Sequence, residues 1–325
     1  MPTLQDVARE AGLSVGTVSR VLNNRGYISD ETRESVHRAM KKLHYQPNEV
    51  ARSLSKKSSN TIGVIVPSVE HPYFARLISA LERAVHRAGC RMILFCSRGR
   101  EEQEEAYIAD CVGLRAAGVI ICSGGIRTEK FRNLGFPLIA YERPMDEANA
   151  AVECDNFQGG QLAGGELIDR GCRHLLCIRG IAEVPMPADR RLDGFLDVCE
   201  RKGVQGESVT VEPFAFDEMN YYPVIRDALD RYPETDGIFA GSDIIAAQVI
   251  RICGERGIRI PEEMKVVGYD DVFLTDLITP PVTSVHQPVE EMADCAVQLL
   301  THLREGATVA QTTVFPVTLV RREST

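Results

Sequence analysis

The stretch that decides the fold of the amino-terminal part reads Leu4-Gln5-Asp6-Val7-Ala8-Arg9-Glu10-Ala11-Gly12-Leu13-Ser14-Val15-Gly16-Thr17-Val18-Ser19-Arg20-Val21-Leu22-Asn23. Its apolar residues recur at i, i+3, i+4 and i+7, which predicts an amphipathic helix near Leu4–Ala11. Gly12 suits the left-handed conformation that ends a helix, and Ser14 suits the N-cap of the next helix. A short helix, a glycine turn and a second helix form the helix-turn-helix pattern, whose second helix enters the major groove of DNA.

A third helix follows in this amino-terminal head. Ser29 is its predicted N-cap, and Asp30 and Glu31 lie in the first turn, where the helix dipole favours acidic side chains. We predict that the helix ends near Tyr45, because Pro47 cannot continue it.

The charge of the chain is divided unevenly along its 325 residues. Residues 1–60 contain ten basic and six acidic residues, a net charge of +4, whereas the remaining residues contain 27 basic and 40 acidic residues, a net charge of −13. A basic head on an acidic body focuses the binding of phosphates at one end. The length and a hydrophobic content of 44% allow two or three domains with sizeable cores.

Several classes of protein are disfavoured by what the sequence lacks. No apolar run approaches the roughly 18–20 residues that span a bilayer, and no signal peptide is visible, so we expect a cytoplasmic protein without a membrane partner. The ten cysteines show no zinc-ligand spacing, so we expect buried, reduced thiols and no metal or other cofactor. The G-x-S-x-G and H-E-x-x-H motifs are absent, which argues against an enzyme; turnover of a bound sugar would reverse that interpretation.

From Ile62 onward, apolar strands alternate with helices. The strands are predicted at 62–66, 92–95, 119–121, 138–140, 175–178, 208–212, 236–240, 265–268, 282–285 and 313–320. The helices are predicted near 73–89, 101–114, 157–170, 188–202, 218–231, 243–256 and 289–304. Strands buried on both faces and joined by helices predict parallel sheets in an α/β fold, and the restart near Leu175 predicts two lobes with a ligand-binding cleft between them.

The head resembles the LacI/GalR (lactose-repressor) family of bacterial transcriptional regulators. The resemblance is carried by Asp6-Val7-Ala8, Thr17-Val18-Ser19-Arg20-Val21-Leu22-Asn23, Thr32-Arg33 and Tyr45-Gln46-Pro47-Asn48-x-Val50-Ala51-Arg52-x-Leu54. It continues through the body, which resembles periplasmic sugar-binding proteins. The implied fold is a small all-α helix-turn-helix head and a two-lobed α/β body of the periplasmic-binding-protein type with parallel sheets.

The resemblance also implies a domain plan. Residues 1–46 form the DNA-binding domain, 47–60 a hinge helix and linker, and 61–325 the effector-binding and dimerisation domain. The lobes of that domain are expected at about 61–155 plus 286–316, and at 156–285 plus 317–325. The hinge helix, near 48–56, would fold only on DNA and insert Leu54 into a central base step; from composition alone, a solvated tether is an equal alternative.

The family pattern places the DNA contacts on the head and hinge. The expected base contacts are Val15, Gly16, Arg20 and Leu54. Val15 can touch a thymine methyl group and Arg20 can clamp a guanine edge, whereas Gly16 departs from the larger polar residues common in the family. Residues that would hold phosphates or position the head are Thr3, Ser14, Thr17, Ser19, Asn23, Tyr45, Asn48 and Ala51.

The candidate effector-binding residues follow strands or open helices, and they are Tyr73, Phe74, Asp155, Arg191, Phe216, Ser242 and Asp270. By resemblance, Arg191 in the motif Arg191-x-x-Gly194-Phe195 and Asp270 are the polar clamps for ligand hydroxyls, with Asp155 on the facing lobe. The less favoured alternatives are that Tyr73 and Phe74 are core residues and that Asp155 is only a helix cap. Asp243 is expected to be a cap.

The resulting hypothesis is a transcriptional regulator, most often a repressor in this family, of carbohydrate-utilisation genes. A homodimer would bind a palindromic operator in double-stranded DNA, and a small sugar-like effector would control its affinity allosterically. No apolar heptad repeat follows residue 320, so a dimer is expected without the tetramer-forming segment of some members. The alternative is a sugar-binding module without a regulatory role. The effector's identity, and whether it tightens or releases DNA, stay open.

Overall fold

The computed structural model describes residues 2–22, 26–45, 59–123, 134–143, 148–180, 185–211 and 218–325. The chain divides into two compact units, Met1–Ser59 and Asn60–Thr325, called the head and the body below. Some predicted features lie outside the described residues. They are the hinge helix near 48–56 with Asn48, Ala51 and Leu54, together with Asn23 and Phe216.

The described part of the head contains three helices, α1 (Leu4–Ala11), α2 (Val15–Leu22) and α3 (Asp30–Lys42). The Thr3 hydroxyl accepts a hydrogen bond from the Asp6 backbone N–H, and the Asp6 carboxylate accepts one from the Thr3 N–H, so α1 begins with a capping box. Gly12 ends α1 with a φ of 67°. Fully buried Val7, Val18 and Val36 join the three helices into one core, as the apolar periodicity predicts.

The third helix ends earlier than the sequence suggested. Its predicted end near Tyr45 is wrong by three residues, because Leu43 is already the C-cap. His44 has a positive φ of 50°, and the Tyr45 N–H donates to the Met40 carbonyl over 2.9 Å. The chain therefore turns out of the helix before Pro47 can break it.

The first lobe of the body is built on a six-stranded parallel sheet in the order β11-β5-β4-β3-β1-β2. Its strands are β1 (Thr61–Val66), β2 (Arg91–Cys96), β3 (Gly118–Ile121), β4 (Leu138–Tyr141), β5 (Ala150–Cys154) and β11 (Thr312–Phe315). Its helices are α4 (Pro72–Arg87), α5 (Glu101–Gly113) and α10 (Val289–Arg304). Along β1, Ile62 and Val64 pack with α4 and α10, whereas Ile65 packs with α5. The sheet is thus covered on both faces, as continuous apolar strands require.

The second lobe repeats this plan with the strand order β12-β10-β9-β8-β6-β7. Its strands are β6 (His174–Gly180), β7 (Gln205–Val211), β8 (Gly237–Ala240), β9 (Lys265–Asp270), β10 (Thr283–His286) and β12 (Thr318–Val320). Its helices are α6 (Asn156–Asp169), α7 (Arg190–Lys202), α8 (Tyr222–Arg231) and α9 (Asp243–Glu255). All strand pairs are parallel except β10 with β12. The two-lobed α/β body expected from the sequence is therefore confirmed, with one antiparallel edge strand.

The chain passes between the lobes at three places: after β5, after β10, and between β11 and β12. The predicted single strand 313–320 is wrong, because it is two strands that pair in different sheets. Between them the Val317 N–H donates to the Gln158 Oε1 over 3.0 Å. The strand Ala150–Cys154 was not predicted, although its burial alternates along the chain.

Two glycines let α6 and α7 pack backbone against backbone. A Cβ at Gly160 would lie 1.9 Å from the Arg191 carbonyl oxygen, and a Cβ at Gly194 would lie 1.9 Å from the Phe157 carbonyl oxygen. Neither oxygen belongs to a flexible side chain, so a substituent must push the helices apart. The glycines therefore set the position of Arg191 at the start of α7.

Gly160→Ala is expected to lower the free energy of unfolding by about 1–3 kcal/mol, because the added methyl group overpacks this contact. Urea unfolding measures the change. Gly165→Ala on the same helix is the matched control: its Cβ meets nothing within 4 Å, so we expect a stabilisation of about 0.5–1 kcal/mol from the better helix former. Equal effects of the two substitutions would contradict the helix-contact explanation.

Candidate nucleic-acid interface and interlobe site

The start of α2 presents the head's candidate base-reading face. Val15 is 42% exposed although it is apolar, and Gly16 and Arg20 are also exposed. The opposite face of the helix carries Val18 and Val21, which are buried in the core of the head. By burying Val18 and Val21, the helix holds Val15, Gly16 and Arg20 outward, and this geometry suits a recognition helix.

The hydroxyl groups predicted to hold phosphates lie close to helix starts. The Ser14 Oγ accepts a hydrogen bond from the Thr17 N–H over 3.0 Å and lies 2.9 Å from the Thr17 Oγ1. Thr3 caps α1. Both helix N-termini combine exposed hydroxyls with a positive dipole end, an arrangement that suits phosphate contacts. Ser19 and Tyr45 are half-buried, and Tyr45 packs against the core of the head.

In the body, polar side chains converge where strands of the two sheets end. The Gln287 Nε2 donates to Asp270 Oδ1 over 2.7 Å, and the Tyr73 hydroxyl donates to Gln287 Oε1 over 3.3 Å. Gln287 follows β10 in the second sheet, whereas Tyr73 lies in the first turn of α4 in the first lobe. The pair of hydrogen bonds therefore connects the two lobes and brings together Tyr73 and Asp270, two of the predicted residues.

Arg191 lies at the start of α7 and reaches across the end of β9. Its Nη1 donates to the Gly241 carbonyl over 2.9 Å, and its guanidinium carbon lies 3.6 Å from the centre of the Tyr269 ring. Its Nε donates to Asn156 Oδ1 over 2.8 Å. The guanidinium thus lies over an aromatic ring, and its Nε and Nη1 each donate to an acceptor of the protein.

The first lobe contributes a carboxylate that the sequence analysis missed. Glu142 follows β4 and has a positive φ of 50°. Its Oε2 accepts a hydrogen bond from Asn156 Nδ2 over 3.0 Å, and its Oε1 accepts one from the Cys154 N–H. The only local signal for this residue is its place directly after a buried strand, at the carboxyl edge of the sheet. Gln287 has the same signal, and neither belongs to a motif quoted above.

The other predicted residues have more ordinary surroundings. The Asp155 carboxylate caps α6 by accepting from the Gln158 N–H over 2.9 Å, and the Ser242 hydroxyl caps α9 by accepting from the Ile245 N–H over 3.4 Å. Phe74 is half-buried, with its ring centre 5.2 Å from that of Tyr73. Asp243, expected to be a cap, is buried in the first turn of α9. There it accepts hydrogen bonds from the Val272 N–H and the Ser284 hydroxyl.

Two buried acidic groups dominate the electrostatics of the site. Burial raises the pKa of Asp270 to about 7, and Arg191 and the hydrogen bond from Gln287 oppose this rise. Burial also raises the pKa of Asp243 well above its usual value, and the neighbouring Asp270 raises it further. Asp270 has a positive φ of 105°, so its backbone is held in a conformation that non-glycine residues rarely adopt.

The Asp270→Asn variant is expected to flatten the dependence of stability on pH. Between about pH 4 and pH 7 the folded chain keeps a proton on Asp270 that the unfolded chain releases. The free energy of unfolding therefore falls as the pH rises through this window, and asparagine removes that titration. Urea unfolding at several pH values measures the slope. Asp227→Asn, at an exposed position, should keep the wild-type slope; an unchanged slope in Asp270→Asn would contradict the prediction.

The arrangement suits binding of a polyol better than covalent chemistry. It offers carboxylates that accept, a guanidinium that donates, and amide and phenol groups that can do either. The Cys154 thiol lies 3.7 Å from the Tyr269 hydroxyl, but burial raises its pKa well above the usual value, so it stays protonated. Within the described ranges, no group of three or more histidine, cysteine or acidic side chains is arranged to hold a metal ion. In the same part of the chain, no helix combines the length and the apolarity needed to cross a membrane.

Family models match both parts of the chain. The model for bacterial regulatory proteins of the lacI family matches residues 3–48, and the model for the periplasmic binding protein-like domain matches residues 165–325. The ribose operon repressor of Halalkalibacterium halodurans is 36% identical over 301 residues, which cover 92% of this chain and 89% of the relative. The ribose operon repressor of Bacillus subtilis is 33% identical over 326 residues, 100% of this chain and 99% of the relative.

Solved structures share this fold. The lac repressor dimer bound to operator and the anti-inducer ONPF has a TM-score of 0.85 at 26% identity, covering 99% of this chain and 98% of that chain. A periplasmic binding protein/LacI transcriptional regulator from Alkaliphilus metalliredigens, complexed with D-xylulofuranose, has a TM-score of 0.73 at 29% identity. The matched region covers 82% of this chain and 99% of that chain.

Proposed function

Because this chain belongs to the LacI family of bacterial regulatory proteins, we propose that it represses carbohydrate-utilisation genes and that a small sugar controls its affinity for an operator. The observation that carries the proposal is the presence of both sites in one chain. A helix with an exposed face, α2, lies in the head, and a polar interlobe site lies in the body. We propose no catalytic role, and we place the protein in the cytoplasm, where its DNA partner is.

The proposed domain plan assigns residues 1–46 to DNA reading, 47–60 to the hinge and 61–325 to effector binding and dimerisation. In the head, Val15, Gly16 and Arg20 would face base edges, supported by their exposure on α2. The hydroxyls at the starts of α1 and α2 would face phosphates. The roles of Asn23, Asn48, Ala51 and Leu54 stay predictions.

The proposed effector is a neutral sugar. Arg191, Asp270 and Glu142, together with the aromatic side chains of Tyr73 and Phe74, supply the polar groups and the apolar wall that a sugar ring needs. Two of the relatives are named ribose operon repressors, so D-ribose is the first compound to test. The proposed contacts of Asp155, Phe216 and Ser242 stay predictions.

A DNA-selection experiment tests the function. The full chain is incubated with a library of random duplexes, and bound sequences are recovered and sequenced. We expect a palindrome of two half-sites to be enriched, since a symmetric dimer reads symmetric DNA. The affinity for that palindrome is then measured with and without D-ribose, sucrose and other neutral sugars. No enrichment over bulk DNA would refute sequence-specific DNA binding. Enrichment of a palindrome whose affinity no sugar changes would refute the proposal of a neutral sugar as effector.

The second lobe carries an exposed apolar turn that suits the dimer contact. Phe273 and Leu277 are 72% and 73% exposed. Phe273 begins a short 3-10 turn, Phe273–Asp276, and Leu277 is the C-cap of that turn. Large apolar side chains exposed together mark protein interfaces. The similar lac repressor was solved as a dimer, so a second copy of this chain is the proposed occupant.

The double variant Phe273→Asp and Leu277→Asp is expected to shift the protein from dimer to monomer in light scattering. The reason is that two charges would have to be buried in the contact. Operator affinity should fall with it, because a monomer engages one half-site at a time. Leu196→Asp, on an apolar residue of α7 that is 38% exposed, is the control and should stay dimeric. A dimeric double variant would place the contact elsewhere.

A further inference from the structure

Asn156 lies where the chain passes from the first lobe into the second. β5 belongs to the first sheet, and α6, which begins at Asn156, packs against α7 of the second lobe. Asn156 is buried, with 2% of the residue exposed. A carboxamide buried at a crossing must find its hydrogen-bond partners within the protein, so its partners show what it holds together.

Those partners come from both lobes. The Asn156 Nδ2 donates to Glu142 Oε2 over 3.0 Å and to the Cys154 carbonyl over 3.2 Å, both in the first lobe. The Asn156 Oδ1 accepts from Arg191 Nε over 2.8 Å, and the Tyr269 hydroxyl lies 3.5 Å from it, both in the second lobe. One side chain therefore bridges a carboxylate of the first lobe and a guanidinium of the second.

The two partners of Asn156, an acceptor at Glu142 and a donor at Arg191, fix the orientation of its amide group. A carboxylate can only accept and a guanidinium can only donate, so the nitrogen of the amide must face Glu142 and its oxygen must face Arg191. The negative charge at one end and the positive charge at the other polarise the amide in the same sense, which strengthens both hydrogen bonds. Asp155, the preceding residue, caps the helix with its own carboxylate and takes no part in the bridge.

Both ends of the bridge are tightly held in their own lobes. Glu142 has a left-handed φ of 50°, and its other oxygen accepts from the Cys154 N–H. Arg191 is held by the Gly241 carbonyl and by the Tyr269 ring. Glu142 and Arg191 are each fixed to their own lobe. A change in the angle between the lobes therefore has to stretch or break the hydrogen bonds of Asn156.

We propose that Asn156 is the positioning residue that couples the two lobes, by tying Glu142 of one to Arg191 of the other. The bridge holds the lobes in the orientation of this structure, and a bound sugar that takes hydrogen bonds from Glu142 or Arg191 weakens it. This inference rests on the proposed function, because lobe orientation is read out as operator affinity.

The test breaks the bridge and then restores it with reversed polarity. Asn156→Asp sets a carboxylate against Glu142, and the double variant Glu142→Gln, Asn156→Asp lets the amide introduced at position 142 donate to the carboxylate introduced at position 156. The readout is the affinity of the full-length chain for the palindrome selected by the wild type, without any sugar. Asn156→Asp is expected to change that affinity by about tenfold or more, and the double variant is expected to return it to within about twofold of the wild type.

A matched control uses the same chemistry inside one lobe. Gln161 lies on the same helix and its Nε2 donates to Asp197 Oδ2 over 2.6 Å, within the second lobe. Gln161→Glu therefore also sets a carboxylate against a carboxylate, and its operator affinity should stay within about twofold of the wild type. Thermal unfolding confirms that each variant is folded; if Asn156→Asp does not fold, Asn156→Ser, which breaks the bridge without adding charge, takes its place.

The possible outcomes separate the coupling from the proposed function. A wild type that selects no DNA sequence refutes the proposed function and this inference with it. A wild type that binds its palindrome while folded Asn156→Asp or Asn156→Ser binds it equally well refutes the coupling alone. A change shared by Asn156→Asp and Gln161→Glu would also refute it, because the effect would then follow from added charge on α6.

Discussion

Glu104→Gln is expected to lower the free energy of unfolding by about 3–5 kcal/mol, the usual consequence of removing one partner from a buried ion pair. The Glu104 carboxylate lies 3.7 Å from Arg143 Nη1, and the two side chains are 0% and 2% exposed. Burial lowers the pKa of Arg143, and Glu104 opposes this shift. Without the carboxylate, the guanidinium stays charged in a buried site that has lost this counter-ion, and the fold is destabilised.

The buried pair also organises the start of the interlobe site. Glu104 accepts from the Ser97 hydroxyl over 3.1 Å, and Arg143 donates to the Ser123 carbonyl, so three strand ends of the first sheet meet at the pair. Arg143 directly follows Glu142. Losing the pair should therefore also release the backbone that aims Glu142 at Asn156.

Urea unfolding compares Glu104→Gln with two other variants. Glu263→Gln removes one partner of the exposed pair Arg259–Glu263 and should leave the free energy of unfolding close to that of the wild type. The double variant Glu104→Met, Arg143→Met replaces both charges with apolar groups and should recover most of the lost stability. A double variant as unstable as Glu104→Gln would show that the charge left behind is not the cause.

Arg191→Ala is expected to raise the dissociation constant of the effector sugar by about 100-fold, which corresponds to about 3 kcal/mol. The side chain is held by the Gly241 carbonyl and the Tyr269 ring, so the guanidinium is already oriented before a ligand arrives, and little entropy is lost on binding. Arg191→Lys should also bind poorly, because an ammonium group can neither stack on Tyr269 nor reach both partners.

Isothermal titration calorimetry with the sugar that gives the largest response in the operator assay measures this effect. The control is Arg190→Ala, because Arg190 is the neighbouring arginine, is exposed, and lies 5.6 Å from the Phe157 ring centre. It should bind the sugar like the wild type. An equal loss of sugar affinity in Arg191→Ala and Arg190→Ala would mean that disturbance of α7, and not loss of the Arg191 guanidinium, causes it. Wild-type affinity in Arg191→Ala would mean that the sugar binds away from this arginine.

Short-range features of the sequence determined the parts of this protein that depend on neighbouring residues. Periodic apolar positions predicted α1 and α2, a suitable cap predicted the start of α3, and strand–helix alternation predicted the body. The weakest predictions were those that needed a partner strand. Residues 313–320 form two strands because each half pairs with a different sheet. Pro316 marks a break between the halves, but it carries no sign of which sheet each half joins.

Tertiary structure alone decided how the interlobe site is assembled. Arg191 and Asp270 stand in recognisable motifs, but their partners lie outside those motifs: Asn156 is 35 residues from Arg191, and Gln287 is 17 residues from Asp270. Gln287 in turn bonds Tyr73, which is 214 residues away. Glu142 and Asn156 are ordinary polar residues in the sequence. They become a bridge because sheet order and the crossing after β5 bring the ends of separate strands together. Hydrogen bonds between such ends follow from topology, whereas helix caps and periodicity follow from residues within a few positions of one another.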